Sequence, residues 1–196
     1  IITGLEAAHS YNVEVRAVCG MGDTSFASTA NFVTDMCGSA VTVENWDSTM
    51  NATTSSYSPV GYSTYNYSYV QTIIPASRMN VNGSEISAIS FLPASASAGS
   101  YFTNIDVYMA NVSEDNLSTA FIMPDSNHQF VHVIANADFS YSTADWQLHA
   151  FDTAFTWDGT SNVLVAVNRR HGSWSSGSSF AAHEDTVERT RYDYRD

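Results

Sequence analysis

The chain reads as all-β, a hairpin followed by an antiparallel β-sandwich, on three observations. Apolar residues recur with period two over short runs, turn dipeptides separate those runs, and no stretch repeats apolar residues at helical spacing. Four prolines and ten glycines among 196 residues, with 44% apolar content, mark a folded chain rather than a disordered one. The length is ample for one sizeable core and allows one to two domains.

The first element alternates through Tyr11, Val13, Val15 and Ala17 and enters a Gly/Asp turn over 20–25; a second short strand ends near Val33. A Gly-Ser link follows Cys37, then a Ser/Thr/Asn/Tyr-rich stretch over 42–69. Strands are expected at 66–74 and 86–92, with Asn82-Gly83 as a turn before the second. At 104–109, Ile105, Val107 and Met109 face one way, Asp106 and Tyr108 the other. Further strands are expected at 129–135, 145–151, 180–183 and 189–194. The segment 162–167, with its continuous VLVAV and entered from the Asp158-Gly159 turn, predicts a central strand covered on both faces. A single helical turn is expected at 114–120. Trp46, Trp146 and Trp157 lie in or beside strands and are assigned to the core.

Charge restricts the partners. Twenty acidic residues against seven basic ones give a net charge of −13, which disfavours nucleic acid, whose binding needs Lys and Arg on phosphates. No apolar run approaches the ~20 residues a membrane helix requires. Cys19 and Cys37 are too few for a disulfide framework and, in a simple hairpin, lie beyond disulfide reach of each other.

The segments YNYSYVQTII, ISAISFL, TNIDVYMA and WQLHAFDTAFTWDGTSNVLVAV occur in order. Through them, residues 42–196 resemble an extracellular β-sandwich module of Bacteroidetes surface proteins. Upstream, VRAVCGMGDTS is similar to the last strands of a fibronectin type III module. The resemblance implies the C-terminal part of a fibronectin type III-like domain at 1–37 and a jelly-roll-like sandwich at 38–196. It implies that most of the first module and the last strand of the second are missing, which would leave a sheet edge open. It also implies a cell-surface or secreted location and a non-catalytic role in adhesion or glycan binding.

Residues that could carry chemistry are few. His128 and His132 have the spacing that chelates zinc on a helix, but on a strand they stand about 13 Å apart. No nucleophile elbow occurs, Cys19 reads as a structural thiol, and pairs such as Glu44/Asp47 and Glu184/Asp185 read as solvating carboxylates. No catalytic constellation can be assembled, so the chain is read as a non-enzyme. Asp158 and Asn162 are the candidate calcium ligands, although an ordinary strand-aligning turn accounts for the same residues. Asp23 and Thr24 carry the same ambiguity. The Asn-x-Ser/Thr sequons at Asn51, Asn66, Asn82, Asn111 and Asn116 read as a consequence of Asn/Ser/Thr richness.

Glycan recognition needs aromatic rings against sugar faces and polar groups at hydroxyls. One candidate surface is the tyrosine run Tyr57, Tyr62, Tyr65, Tyr67 and Tyr69. The other is Asn168, Arg169, Arg170, His171 and Trp174, where the central strand empties into a Gly/Ser loop. The expected partner is a glycan or a protein on a host or neighbouring cell. Two alternatives stand beside this: a subunit of a surface fibre assembled by strand pairing, and an accessory domain of a secreted hydrolase or peptidase.

Overall fold

The computed structural model describes residues 5, 10–18, 25–33, 52–79, 81, 83, 85–95, 100–141, 143–170, 172 and 179–196. The chain divides into two compact units, Ile1–Val41 and Thr42–Asp196.

The first unit is a hairpin of β1 (Ser10–Val15) and β2 (Ser28–Val33), antiparallel, with Tyr11 opposite Phe32 and Val13 opposite Ala30. The period-two alternation of the sequence therefore forms the strand it predicts. Ser25 closes the approach to the turn: its hydroxyl oxygen accepts from the Ala17 amide at 2.9 Å, and its own amide donates to the Ala17 carbonyl at 2.9 Å. Cys19, Cys37, Asp23, Thr24 and Trp46 lie outside the described residues.

The second unit runs β3 (Ala52–Ser55), β4 (Tyr67–Ile74), the single-turn helix α1 (Ala76–Met79), β5 (Glu85–Phe91), β6 (Pro93–Ser95), β7 (Ser100–Val112), β8 (Val131–Tyr141), β9 (Gln147–Thr156), β10 (Asn162–Arg169), β11 (Ser179–His183) and β12 (Thr190–Arg195). A five-stranded sheet has the order β12-β4-β10-β7-β8, a three-stranded one the order β3-β11-β6, and β5 pairs with β9. Every pairing is antiparallel, and the architecture is sandwich-like.

The main core lies between the five-stranded sheet and the smaller ones. Ile105, Val107 and Met109 of β7 and Val163, Val165 and Val167 of β10 meet Phe91, Phe151, Phe155 and Phe180 from the opposing strands. Each such side chain, fully withdrawn from water, contributes roughly 2 kcal/mol. The intervening β10 residues Leu164 and Ala166 face the other way, where Leu164 joins Ile73, Ala110, Val112, Leu117 and Ile122 in a second cluster. The continuous apolar run of β10 thus reflects a strand covered on both faces.

That second cover is the irregular 113–130 segment. The helical turn expected at 114–120 is absent: the chain bends there, with the Leu117 amide donating to Glu188 O at 2.7 Å. Gln71, fully buried, holds the segment in both directions. Its Nε2 donates to Ile122 O at 2.7 Å, and the Ile122 amide donates to its Oε1 at 2.9 Å. A glutamine side chain here reproduces the bond pair of a neighbouring strand. Trp157 is buried as expected and donates from Nε1 to Ser161 O at 2.8 Å. Trp146 is a correction: it is 46% exposed, because it sits just before β9 with Leu148 on the side away from the core.

Candidate functional site

Of the five tyrosines picked from the sequence, Tyr57, Tyr62 and Tyr65 converge, and two others join them. Tyr57, Tyr62 and Tyr65 come from the turn-rich 56–66 segment; Tyr192 and Tyr194 are alternate residues of β12, so their rings stand on one face of the strand. The register places Tyr194 opposite Ser68 and Tyr192 opposite Val70 of β4. The 56–66 segment covers that same face: an added Cβ on Gly61, which has φ +111, would lie 2.1 Å from Ser68 Oγ and 3.9 Å from a Val70 methyl. Glycine is needed there both for the left-handed backbone and for the close approach.

Ring centroids define the patch. Tyr57 stacks on Tyr192 at 4.7 Å and 9°, and on Tyr194 at 5.5 Å and 23°. Tyr62 meets Tyr57 at 4.7 Å and Tyr65 at 5.4 Å, while Tyr65 meets Tyr194 at 4.4 Å. Tyr192 and Tyr194 keep 46% and 36% of their surface in solvent. The neighbouring Tyr194 phenol, with some burial, raises the pKa of the Tyr57 hydroxyl. At the rim, Ser55 Oγ accepts from the Tyr57 and Ser58 amides at 3.2 and 3.1 Å. Tyr67 lies apart on the opposite face of β4, under Arg195 at 5.9 Å, and Tyr69 packs there against Phe121 at 5.2 Å.

Arg169 is brought to the tyrosines, but not as a ligand contact. Its side chain is 1% exposed, and Nη1 donates to the carbonyls of Ser63 and Tyr65 at 3.2 and 2.8 Å and to Tyr62 O at 3.4 Å. The guanidinium fixes the turn that carries Tyr62 and Tyr65. Burial lowers its pKa. Gly172 closes over it: a Cβ there would stand 2.1 Å from Arg169 Cζ. Arg169, chosen from the sequence as a ligand residue, is therefore an internal support.

Arg170 points to the outer sheet face and joins a different group. Asp106 is 1% exposed, and its Oδ1 accepts from His132 Nε2 at 3.0 Å, from the Asn136 amide at 2.9 Å and from Arg170 Nη2 at 3.3 Å; Arg170 Nε pairs with Oδ2. His132 stacks on Tyr108 at 4.4 Å. Asn104 and Asn136, at φ 56 and 50, accompany the register shifts between β7 and β8 that place this group. His171 and Trp174, the remaining members of that candidate surface, lie outside the described residues.

The candidate calcium ligands do not converge. Asp158 Oδ1 accepts from the Thr160 and Ser161 amides at 2.8 and 2.7 Å, and Oδ2 accepts from Ser161 Oγ at 2.6 Å. These bonds, the Ser161 hydroxyl foremost, hold its pKa down at about 2. Asn162 turns to other work, its Oδ1 accepting from the Ala76 amide and its Nδ2 donating to Glu114 O, both at 2.9 Å. The turn chemistry of Asp158 is complete without a cation. His128 and His132 likewise have separate partners, His128 bridging Asp125 and Glu114 at 3.0 Å each. Among the described residues, no group of three or more His, Cys, Asp or Glu side chains is placed to hold a metal ion. Asp185, one of the acidic pair considered above, is engaged by Arg189 and Arg78.

Sequence reasoning missed Tyr192 and Tyr194. Their alternation in RYDYR was visible; their meeting with Tyr57 depends on the pairing of β12 with β4, which local patterning does not encode. No family model matches the chain, and no curated protein and no solved structure matches it.

Proposed function

We propose that the chain is a non-catalytic module of an extracellular surface protein that binds glycan through the Tyr57/Tyr62/Tyr65/Tyr192/Tyr194 patch. The observation that carries this reading is five tyrosine rings gathered at one sheet edge, with Tyr192 46% and Tyr194 36% exposed. Monomeric proteins bury aromatic rings where they can, so a half-exposed group held in place from beneath, by Arg169 on the turn backbone, suits recognition. Phenol faces accept the C–H faces of sugars, and the phenol hydroxyls with nearby serines suit sugar hydroxyls. The resemblance of residues 42–196 to Bacteroidetes surface modules agrees with this reading.

A glycan-array screen of the chain beside a Tyr192→Ala/Tyr194→Ala variant tests it. The expected result is binding to some glycans that the variant loses, unchanged by a calcium chelator. A folded, monodisperse chain that binds nothing on the array contradicts the reading. A second reading, assembly by strand addition, rests on β12 forming an edge of the five-stranded sheet. It predicts concentration-dependent association without ligand, read by sedimentation velocity.

A further inference from the structure

The tyrosine patch joins two parts of the chain that are far apart in sequence. Tyr57, Tyr62 and Tyr65 belong to the 56–66 segment, Tyr192 and Tyr194 to the edge strand β12. Across that junction the ring centroids stand 4.4 Å apart for Tyr65 and Tyr194, 4.7 Å for Tyr57 and Tyr192, and 5.5 Å for Tyr57 and Tyr194. Rings this close have carbons in van der Waals contact, at about 3.5–4 Å. The Tyr57 pKa is raised by the Tyr194 phenol first, then by some burial and the Tyr62 and Tyr192 phenols, and last by a hydrogen bond with Tyr194. The hydroxyls of Tyr57 and Tyr194 thus meet, and with them the ring carbons beside those hydroxyls. Both sides are held in place, by Arg169 on the Tyr65 carbonyl, by Ser55 Oγ on the Tyr57 amide and by the ladder of β4 on β12. Tyr192 and Tyr194, 46% and 36% exposed, are open to an oxidant.

We propose that the patch is a site of oxidative tyrosine coupling, at which peroxide and a peroxidase join the 56–66 segment to β12 through a dityrosine bond. Each phenol gives up one electron and its hydroxyl proton, leaving a radical whose spin spreads to the carbons beside the oxygen. Two such radicals on neighbouring rings form a carbon–carbon bond, and the hydrogens displaced from those carbons return to the oxygens. The two electrons and two protons removed reduce one hydrogen peroxide to two waters. Rings already in contact couple ahead of rings that must first meet, the advantage of a held geometry. Tyr141, packed against Phe102, Phe139, Phe180 and His149, has no phenol among these neighbours and is left out. The bond ties β12, an edge of the five-stranded sheet, to the segment beside it. The proposal stands independently of glycan binding.

The test treats the folded chain, at high dilution, with hydrogen peroxide and a haem peroxidase, then cleaves it after arginine for mass spectrometry. The sequence has no lysine, and cleavage after Arg191 and Arg195 releases residues 192–195 of the untreated chain as a free tetrapeptide. The expected result is loss of that tetrapeptide and its appearance on fragment 17–78, the product lighter than the two parts by two hydrogen atoms. Fragmentation of the product is expected to place the bond on Tyr57, Tyr62 or Tyr65. Tyr192→Phe/Tyr194→Phe, which keeps both rings and removes both phenols, is expected to give no such product. A tetrapeptide that stays free, a bond mapped to tyrosines outside the patch, coupling between chains only, or an equal yield from the chain unfolded in urea overturns the proposal.

Discussion

Arg169 spends its guanidinium on backbone carbonyls of the turn that carries Tyr62 and Tyr65, and this makes a charged residue part of the scaffold. Replacing it by methionine leaves those carbonyls without a donor inside the fold, and a loss of about 3 kcal/mol is expected in urea unfolding. Gly172→Ala drives a methyl into the same guanidinium and costs about 2 kcal/mol by the same measurement. His149 supplies a pH dependence. It packs on Phe139 at 3.8 Å with its Nε2 3.2 Å from the Tyr141 hydroxyl, and burial lowers its pKa from 6.5 to about 4. The unfolded chain takes up the proton first, so this contribution is complete above pH 6.5 and is lost as pH falls to 4, about 3 kcal/mol in all. Unfolding midpoints across that window are expected to fall with pH, and to fall less in His149→Gln.

At the scale of elements, the second cover of the sheet depends on one side chain. Gln71→Leu keeps the volume but removes both bonds to Ile122, leaving a buried amide and carbonyl without partners. About 2 kcal/mol of stability is expected to go. Hydrogen exchange of the Ile122 amide is expected to accelerate more than that of β10, whose ladder is independent of the segment. Elements were legible where burial imposed a pattern: the alternation of 104–109 became the middle of β7, and VLVAV became a strand with neighbours on both sides. They were illegible where it did not. Residues 52–55 are three Ser/Thr and an alanine, and β6 is three residues opening on a proline, so neither carries a periodic signal. The 114–120 segment had helical composition, but its Leu117 amide and side chain are claimed by tertiary partners.

At the scale of the molecule, all seven basic residues are arginines and all are engaged in the described structure by carboxylates, carbonyls or rings. The acidic surface thus offers little to a polyanion, and the aromatic patch is its most distinctive feature. Three of the five tyrosines were legible: Tyr57, Tyr62 and Tyr65 stand in one Ser/Thr-rich run. Tyr192 and Tyr194 enter only through the pairing of β12 with β4, a contact distant in sequence. Arg169 was legible as special and misassigned, because a cation at the end of a strand looks the same in sequence whether it faces solvent or carbonyls. The central claim is that this patch is where glycan is bound. NMR of ring-labelled tyrosines during titration with a glycan that the array screen returns tests it directly. The account predicts shifts concentrated on Tyr57, Tyr192 and Tyr194, with the buried Tyr141 unmoved; saturable shifts confined to other tyrosines, or none at all, would contradict it.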